Sequence, residues 1–187
     1  MGVSGREQPT NLNIEIKARV DDLDRIREYL LAHGAESRGT DHQKDTYLRA
    51  RDGRLKIREG NVESCIVHYD RSDCTGPKSC RYRIEHFTPG DPVVEGLRKL
   101  LTAAIGVLCV VDKVREIYFI ENVKFHLDSV GTLGTFFEIE AIDTDGKGEE
   151  SLRKQCKHYL DEIGIEESQL VGASYSDMIL NGVKLRL

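Results

Sequence analysis

The chain has 187 residues, and its 27 basic against 32 acidic side chains leave a formal net charge of −5. At 39% hydrophobic and 32% charged residues it can bury roughly 70% of its unfolded surface, while the acidic balance argues against a general nucleic-acid binder, which is usually basic. No apolar run reaches the roughly 18 residues of a membrane span, and residues 1–11 hold no apolar export core; the expectation is a cytoplasmic protein without a membrane partner, with a lead over residues 1–10 and a single domain over residues 11–187.

The first strand is predicted over residues 12–20, because Leu12, Ile14, Ile16, Ala18 and Val20 alternate with Asn13, Glu15, Lys17 and Arg19. A helix follows over residues 23–33, capped by Asp21 or Asp22 and stopped by Gly34. Short strands are predicted over residues 43–49, 54–59, 63–71 and 80–87. Asp52-Gly53 turns the first hairpin, and a loop with Gly76 and Pro77 turns the second. Asp91-Pro92 opens a helix over residues 92–105. Strands over 108–120, 123–129 and 135–142 precede a helix over 150–163. A last helix starts near Ser174, which stands at capping-box spacing from Asp177. Eight strands with few helices read as an α+β, mainly antiparallel fold: a closed eight-stranded barrel with peripheral helices.

The polar faces carry the functional signal. Lys17 and Arg19 share a face, as do Lys56 and Arg58, Arg81 and Arg83, and Lys113 and Arg115; Arg71 shares its face with Tyr69. Any one such pair reads as ordinary surface charge that keeps an edge strand soluble. Five strands repeating it in a net-acidic chain fit better if the faces converge on one lumen. Such a lumen concentrates positive potential and suits a dense polyanion. Glu15, Glu138 and Glu140 in the same lumen suit a hard cation. Repulsion among empty-lumen cations then implies that Lys113→Ala or Arg115→Ala loses anion binding with the fold intact.

Other features read blandly. The five cysteines are odd in number, lack CxxC spacing and are expected to be reduced thiols. The six histidines show no metal spacing, and no phosphate-binding loop of the GxxxxGK[ST] type occurs.

Taken in order, Asn13-Ile-Glu15-Ile-Lys17, Gln43-x-Asp45-x-Tyr47, Leu55-Lys-Ile-Arg58, Tyr69-x-Arg71, Arg81-x-Arg83, Lys113-Val-Arg115, His126-Leu-Asp-Ser-Val130, Phe137-Glu-Ile-Glu140 and Ser174-Tyr-Ser-Asp177 resemble the CYTH superfamily. These are the triphosphate tunnel metalloenzymes, and the likeness is to their class IV adenylyl cyclase-like branch. The resemblance implies a tunnel that takes a triphosphate end-on. Lys17, Lys56, Arg58, Arg71, Arg81, Arg83, Lys113 and Arg115 would contact phosphate, with Arg19 less clearly so. Lys113, Arg115 and Asp128 would act in catalysis, and Glu15, Glu138 and Glu140 would hold Mg²⁺ or Mn²⁺. The family's first Glu is Asn13 here, an oxygen ligand without charge. The implied reaction is cyclisation of ATP to cyclic AMP and pyrophosphate, with the base open between Asp128 and hydroxide at the metal. The alternatives are a triphosphatase for tripolyphosphate, thiamine triphosphate or a nucleoside triphosphate, and a non-catalytic triphosphate-binding protein. A homodimer is expected from the general frequency of two-fold assemblies.

Overall fold

The computed structural model describes residues 11–71 and 73–184, so the expected lead over residues 1–10 lies outside it. Eight antiparallel strands close into a barrel: β1 (Asn11–Arg19), β2 (Glu36–Leu48), β3 (Arg54–Glu59), β4 (Ser64–Arg71), β5 (Lys78–Phe87), β6 (Val107–Ile120), β7 (Val123–Val130) and β8 (Gly134–Ile142). Their order around the barrel is β1-β5-β4-β3-β2-β6-β7-β8. The helices are α1 (Leu23–Ala32), α2 (Pro92–Ile105), α3 (Gly148–Ile163) and α4 (Tyr175–Lys184). Among the described residues, no helix is long and apolar enough to cross a membrane.

Local chemistry sets the ends of these elements. Asp22 accepts from the Arg25 amide and caps α1, and Asp91 accepts from the Val93 amide and caps α2 just ahead of Pro92. Ser174 and Asp177 form a reciprocal cap at the start of α4: the Asp177 amide donates to Ser174 Oγ, and the Ser174 amide donates to Asp177 Oδ2. Gly53 adopts φ +65°, and a Cβ there would lie 2.7 Å from the Tyr69 carbonyl oxygen, so the hairpin turn requires glycine.

β2 begins at Glu36, well before the expected residue 43. The added stretch is polar and without alternation. It is a strand because β6, 14 residues long, offers it a pairing edge from Phe119 to Lys113, with an irregularity at Ser37/Gly39.

The apolar core lies outside the barrel wall. Ile14, Ile16 and Ala18 of β1, Phe125 and Leu127 of β7, and Phe137, Ile139 and Ala141 of β8 point outward. They pack on Ile26 and Leu30 of α1 and on Leu152, Cys156, Leu160 and Ile163 of α3. Each large apolar side chain buried there contributes about 1.5–3 kcal/mol. Strand alternation then sends the neighbouring polar residues inward. A smaller cluster of Tyr47, Val67, Tyr69, Val111, Val130, Phe136 and Tyr175 seats α4.

Candidate active site in the barrel lumen

The lumen holds a cavity of about 360 Å³. Glu15 and Lys17 from β1, Lys56 and Arg58 from β3, Arg71 from β4, Lys113 and Arg115 from β6, and Glu138 and Glu140 from β8 all line it. The motifs carried on separate strands therefore meet on one surface.

Arg81 and Arg83 do not join them. The inner face of β5 is Cys80, Tyr82, Ile84 and His86. Arg81 and Arg83 lie on the opposite, exposed face, and the Arg81 guanidinium is 4.0 Å from Glu149 on α3. The cause is register: Arg71 pairs with Cys80 and Tyr69 with Tyr82, which turns the apolar set inward. The lumen thus loses two expected phosphate contacts and gains an apolar wall of Cys65, Val67, Tyr69, Cys80, Tyr82 and Ile84. Arg19 is also outside. It lies over the Phe136 ring and donates to the Leu133 carbonyl.

Asp128 is fully buried but absent from the cavity wall. Its oxygens accept from Arg115 Nε at 2.6 Å, from Arg115 Nη2 at 2.5 Å and from the Tyr175 hydroxyl at 2.7 Å. Burial favours its acid form, but Arg115 outweighs this and keeps its pKa below the usual carboxylate value. Asp128 therefore braces Arg115 from the inner face of β7, beside Tyr175.

The lumen cations are not bare. Lys17 sits 3.0 Å from Glu138, and Arg71 pairs with Glu15. Arg115 reaches Glu138 at 2.7 Å as well as Asp128. Asp45 takes Lys56, Arg58 and Lys113, and Glu63 takes Arg58 at 2.9 Å and Lys124 at 2.5 Å. The expected field of uncompensated positive charge is instead a lattice of alternating signs, since buried charges are costly without partners. Glu138 is held well below the usual carboxylate range because Lys17 and Arg115 overcome its burial. Burial, aided by Arg58, Arg115 and Lys56 and opposed by Asp45, pulls Lys113 down to about 7.

Several members of this site escaped the sequence reading. Asp45 and Tyr175 stood within quoted motifs without a role. Glu63 is delivered by the β3–β4 turn, where the buried Asp41 carboxylate accepts from the amides of Asn61, Val62 and Glu63. A Cβ at Gly60 would lie 2.6 Å from Asp41 Oδ1, so this turn closes only around glycine. Lys124 alternates with outward Phe125 on β7, a signal present in the sequence. His126, read blandly because it lacks metal spacing, is 1% exposed, with Nδ1 3.2 Å from Glu138 and 3.8 Å from Glu140. Ligand atoms of His126, Glu138 and Glu140 lie within 4.8 Å of one another. Burial and Arg115 lower the His126 pKa and favour the neutral imidazole. Asn13, 6% exposed, also lines the cavity and leaves Oδ1 without a hydrogen-bond partner. Carboxylates, a neutral imidazole and an orphaned amide oxygen in one cavity are a donor set that fits a divalent cation.

The segment before α4 crosses the barrel end where β1 finishes and β8 begins. Leu170 bridges to Ala18, the Val171 amide donates to the Lys17 carbonyl, and buried Lys78 donates to the Gly172 carbonyl at 2.9 Å. It brings Ser174 and Tyr175 to the cavity, with Lys17 Nζ 3.6 Å from the Tyr175 ring centroid.

The CYTH domain family model matches residues 11–175. The chain belongs to the CYTH family. A Methanocaldococcus jannaschii protein described as a candidate adenylate cyclase is 24% identical over 179 residues, covering 89% of this chain and 98% of that protein. In overall structure, a Pyrococcus horikoshii protein superposes with TM-score 0.72 at 24% identity, covering 88% of this chain and 98% of that one. A Hippeastrum protein, described as a candidate adenylyl cyclase with a dominant triphosphatase activity, superposes with TM-score 0.59 at 20% identity over 91% and 96% of the two chains. At these identities the likeness to the solved structures speaks for the shared barrel, and function must be argued from the site.

Proposed function

We propose that this CYTH protein is a metal-dependent enzyme acting on a nucleoside triphosphate, and that its reaction is cyclisation of ATP to cyclic AMP and pyrophosphate. The observation that carries the reading is the two-sided lumen. A basic wall of Lys56, Arg58, Lys113 and Arg115 shares one cavity with an apolar wall on β4 and β5. Charge suits the phosphate chain, and Val67, Tyr69, Tyr82 and Ile84 suit an organic substituent that bare tripolyphosphate lacks.

In this reading the ribose 3′-hydroxyl loses its proton to solvent as its oxygen attacks the α-phosphorus, and the bond to the pyrophosphate breaks. Lys56, Arg58 and Lys113 bind the phosphate chain, with the arginine offering a fork and the lysines point charges. Arg115, braced by Asp128, stabilises charge on the leaving pyrophosphate. Glu138, Glu140 and Glu15 would hold Mg²⁺ or Mn²⁺, with His126 and Asn13 at hand. When bound, such an ion neutralises phosphoryl oxygens and makes a nearby hydroxyl more acidic. Tyr175 and Lys17 fix the inner end of the chain.

A second reading, hydrolysis of a triphosphate, is favoured by the activity described for the Hippeastrum protein that shares the fold. The same clamp serves, with water attacking the terminal phosphorus. Products decide between them. The protein is incubated with ATP, and separately with tripolyphosphate, in Mg²⁺ or Mn²⁺. Cyclic AMP plus pyrophosphate, lost in Glu138→Ala, supports the cyclase. Orthophosphate with tripolyphosphate preferred supports the hydrolase. Tight triphosphate binding without turnover overturns both and leaves a binding role.

A further inference from the structure

We infer that Asp45 is a positioning and specificity residue: an internal anion that holds the phosphate clamp in shape and weakens its grip on short anions, so that pyrophosphate leaves. The inference rests on the proposed triphosphate site and deepens it.

Asp45 sits at the hub of the clamp. It projects from β2 between β3 and β6, pairing in register with Arg58 on one side and Val111 on the other. Its Oδ1 accepts from Arg58 Nε at 2.8 Å. Its Oδ2 accepts from Arg58 Nη2 at 3.0 Å, from Lys113 Nζ at 2.7 Å and from Lys56 Nζ at 3.2 Å. Its side chain is 1% exposed and lines the cavity. Asp45 gathers three lysine or arginine side chains, whereas Glu138 and Glu63 each gather two. Two planar oxygens shared among four donor nitrogens of three side chains resemble the way a phosphoryl group is held.

Two consequences follow from this placement. Without Asp45, Lys56, Arg58 and Lys113 would repel one another across neighbouring strands and spread apart. With it, any phosphoryl group seated on the same cations also faces a fixed negative charge. A triphosphate, held also by Arg115 and Lys17 in the same cavity, can place its charge farther from Asp45 and so feels less of that repulsion. Pyrophosphate reaches fewer of these groups and feels the repulsion more fully. The carboxylate therefore penalises the shorter anion more than the longer one, which is a difference of affinities rather than an affinity.

The test is calorimetric titration of the whole protein with pyrophosphate and with tripolyphosphate, comparing the native chain, Asp45→Asn and Asp45→Glu, with kcat and pyrophosphate inhibition measured in parallel. Asp45→Asn keeps a side chain of the same size and removes the charge; the empty clamp loosens, and a bound anion draws its cations together again. It is expected to bind pyrophosphate about tenfold tighter, to gain less for tripolyphosphate, and to show a lower kcat with stronger product inhibition. Asp45→Glu restores the charge and is expected to return the ratio of the two affinities toward the native value even if the fold is weakened. A purely structural role predicts that Asp45→Asn loosens both anions alike and leaves their ratio unmoved, and that result overturns the inference. If Asp45→Asn does not fold, Asp45→Ser, also uncharged, is titrated in its place: a ratio shifted toward pyrophosphate supports the charge penalty, and an unmoved ratio overturns it. A native chain that binds neither anion overturns the triphosphate reading itself. Binding of both with an unmoved ratio in Asp45→Asn overturns only the role of Asp45.

Discussion

The two faces of the β1–β8–β7 wall follow opposite rules. Outward, Ile14, Ile16, Phe125, Phe137 and Ile139 bury apolar surface under α1 and α3, and their neighbours need only fit. Inward, Lys17 and His126 are buried and Glu138 and Glu140 half-buried, and the charged ones need partners of opposite sign. The fold is held from outside the barrel, so its inside is free to be charged. Cohesion and chemistry are divided between alternate residues of the same strands.

The largest effect is expected where the division is crossed. Arg115→Ala removes a proposed phosphate contact, strands Asp128 and leaves Glu138 with Lys17 alone. Turnover should fall about 10²–10³-fold, and stability by about 3–5 kcal/mol because buried carboxylates lose their partner. Steady-state kinetics and denaturant unfolding check the two losses. The structure thereby replaces the expectation that such a variant keeps its fold intact, since these cations are paired rather than repelling. Adding Asp128→Asn should recover part of the stability and none of the turnover.

Ile139→Ala tests the outer face alone. It should cost about 2–5 kcal/mol in thermal or denaturant unfolding and leave turnover per folded molecule nearly unchanged. A loss of turnover comparable to that of Arg115→Ala would mean the two faces are not independent.

Lys113 gives a pH signature. Its amine is pulled to about 7 in the empty lumen, so at pH 8 it is mostly neutral. A bound triphosphate favours the ammonium and raises that value, so binding takes up protons. Calorimetry at pH 8 in buffers of different ionisation enthalpy should report this uptake, and Lys113→Arg should abolish it. Proton release, or none, contradicts the placement of Lys113 on the phosphate side.

The smallest effect belongs to Arg81→Ala and Arg83→Ala. Both side chains are outside the barrel, and triphosphate affinity should stay within about twofold, as for surface positions in general. A tenfold loss in a titration would restore them to the lumen and undo the register of β5.

Much of the fold was legible because alternation and caps are local signals. β3 and α2 run from Arg54 to Glu59 and from Pro92 to Ile105, as their patterns predict. The first half of β2 was not legible, since Glu36 to His42 carries no alternation and becomes a strand only beside β6. In the candidate site, Glu15, Lys17, Glu138 and Glu140 were readable from β1 and β8 because apolar residues separate them. Glu63 was not, because a turn held by Asp41 places it, and His126 was not, because its neighbours come from another strand.

By itself, the sequence determined that two faces exist and which residues share each one, because side chains of an extended strand point to alternate sides. It could not decide which face of β5 turns inward, since Arg81 with Arg83 and Cys80 with Tyr82 and Ile84 make equally regular faces. Hydrogen-bond register with β4 and β1 made that choice, and closure of the barrel brought carboxylates from β2 and the β3–β4 turn onto the cations of β3, β6 and β7. Pairing between distant segments is a property of the closed sheet, and no single strand carries it.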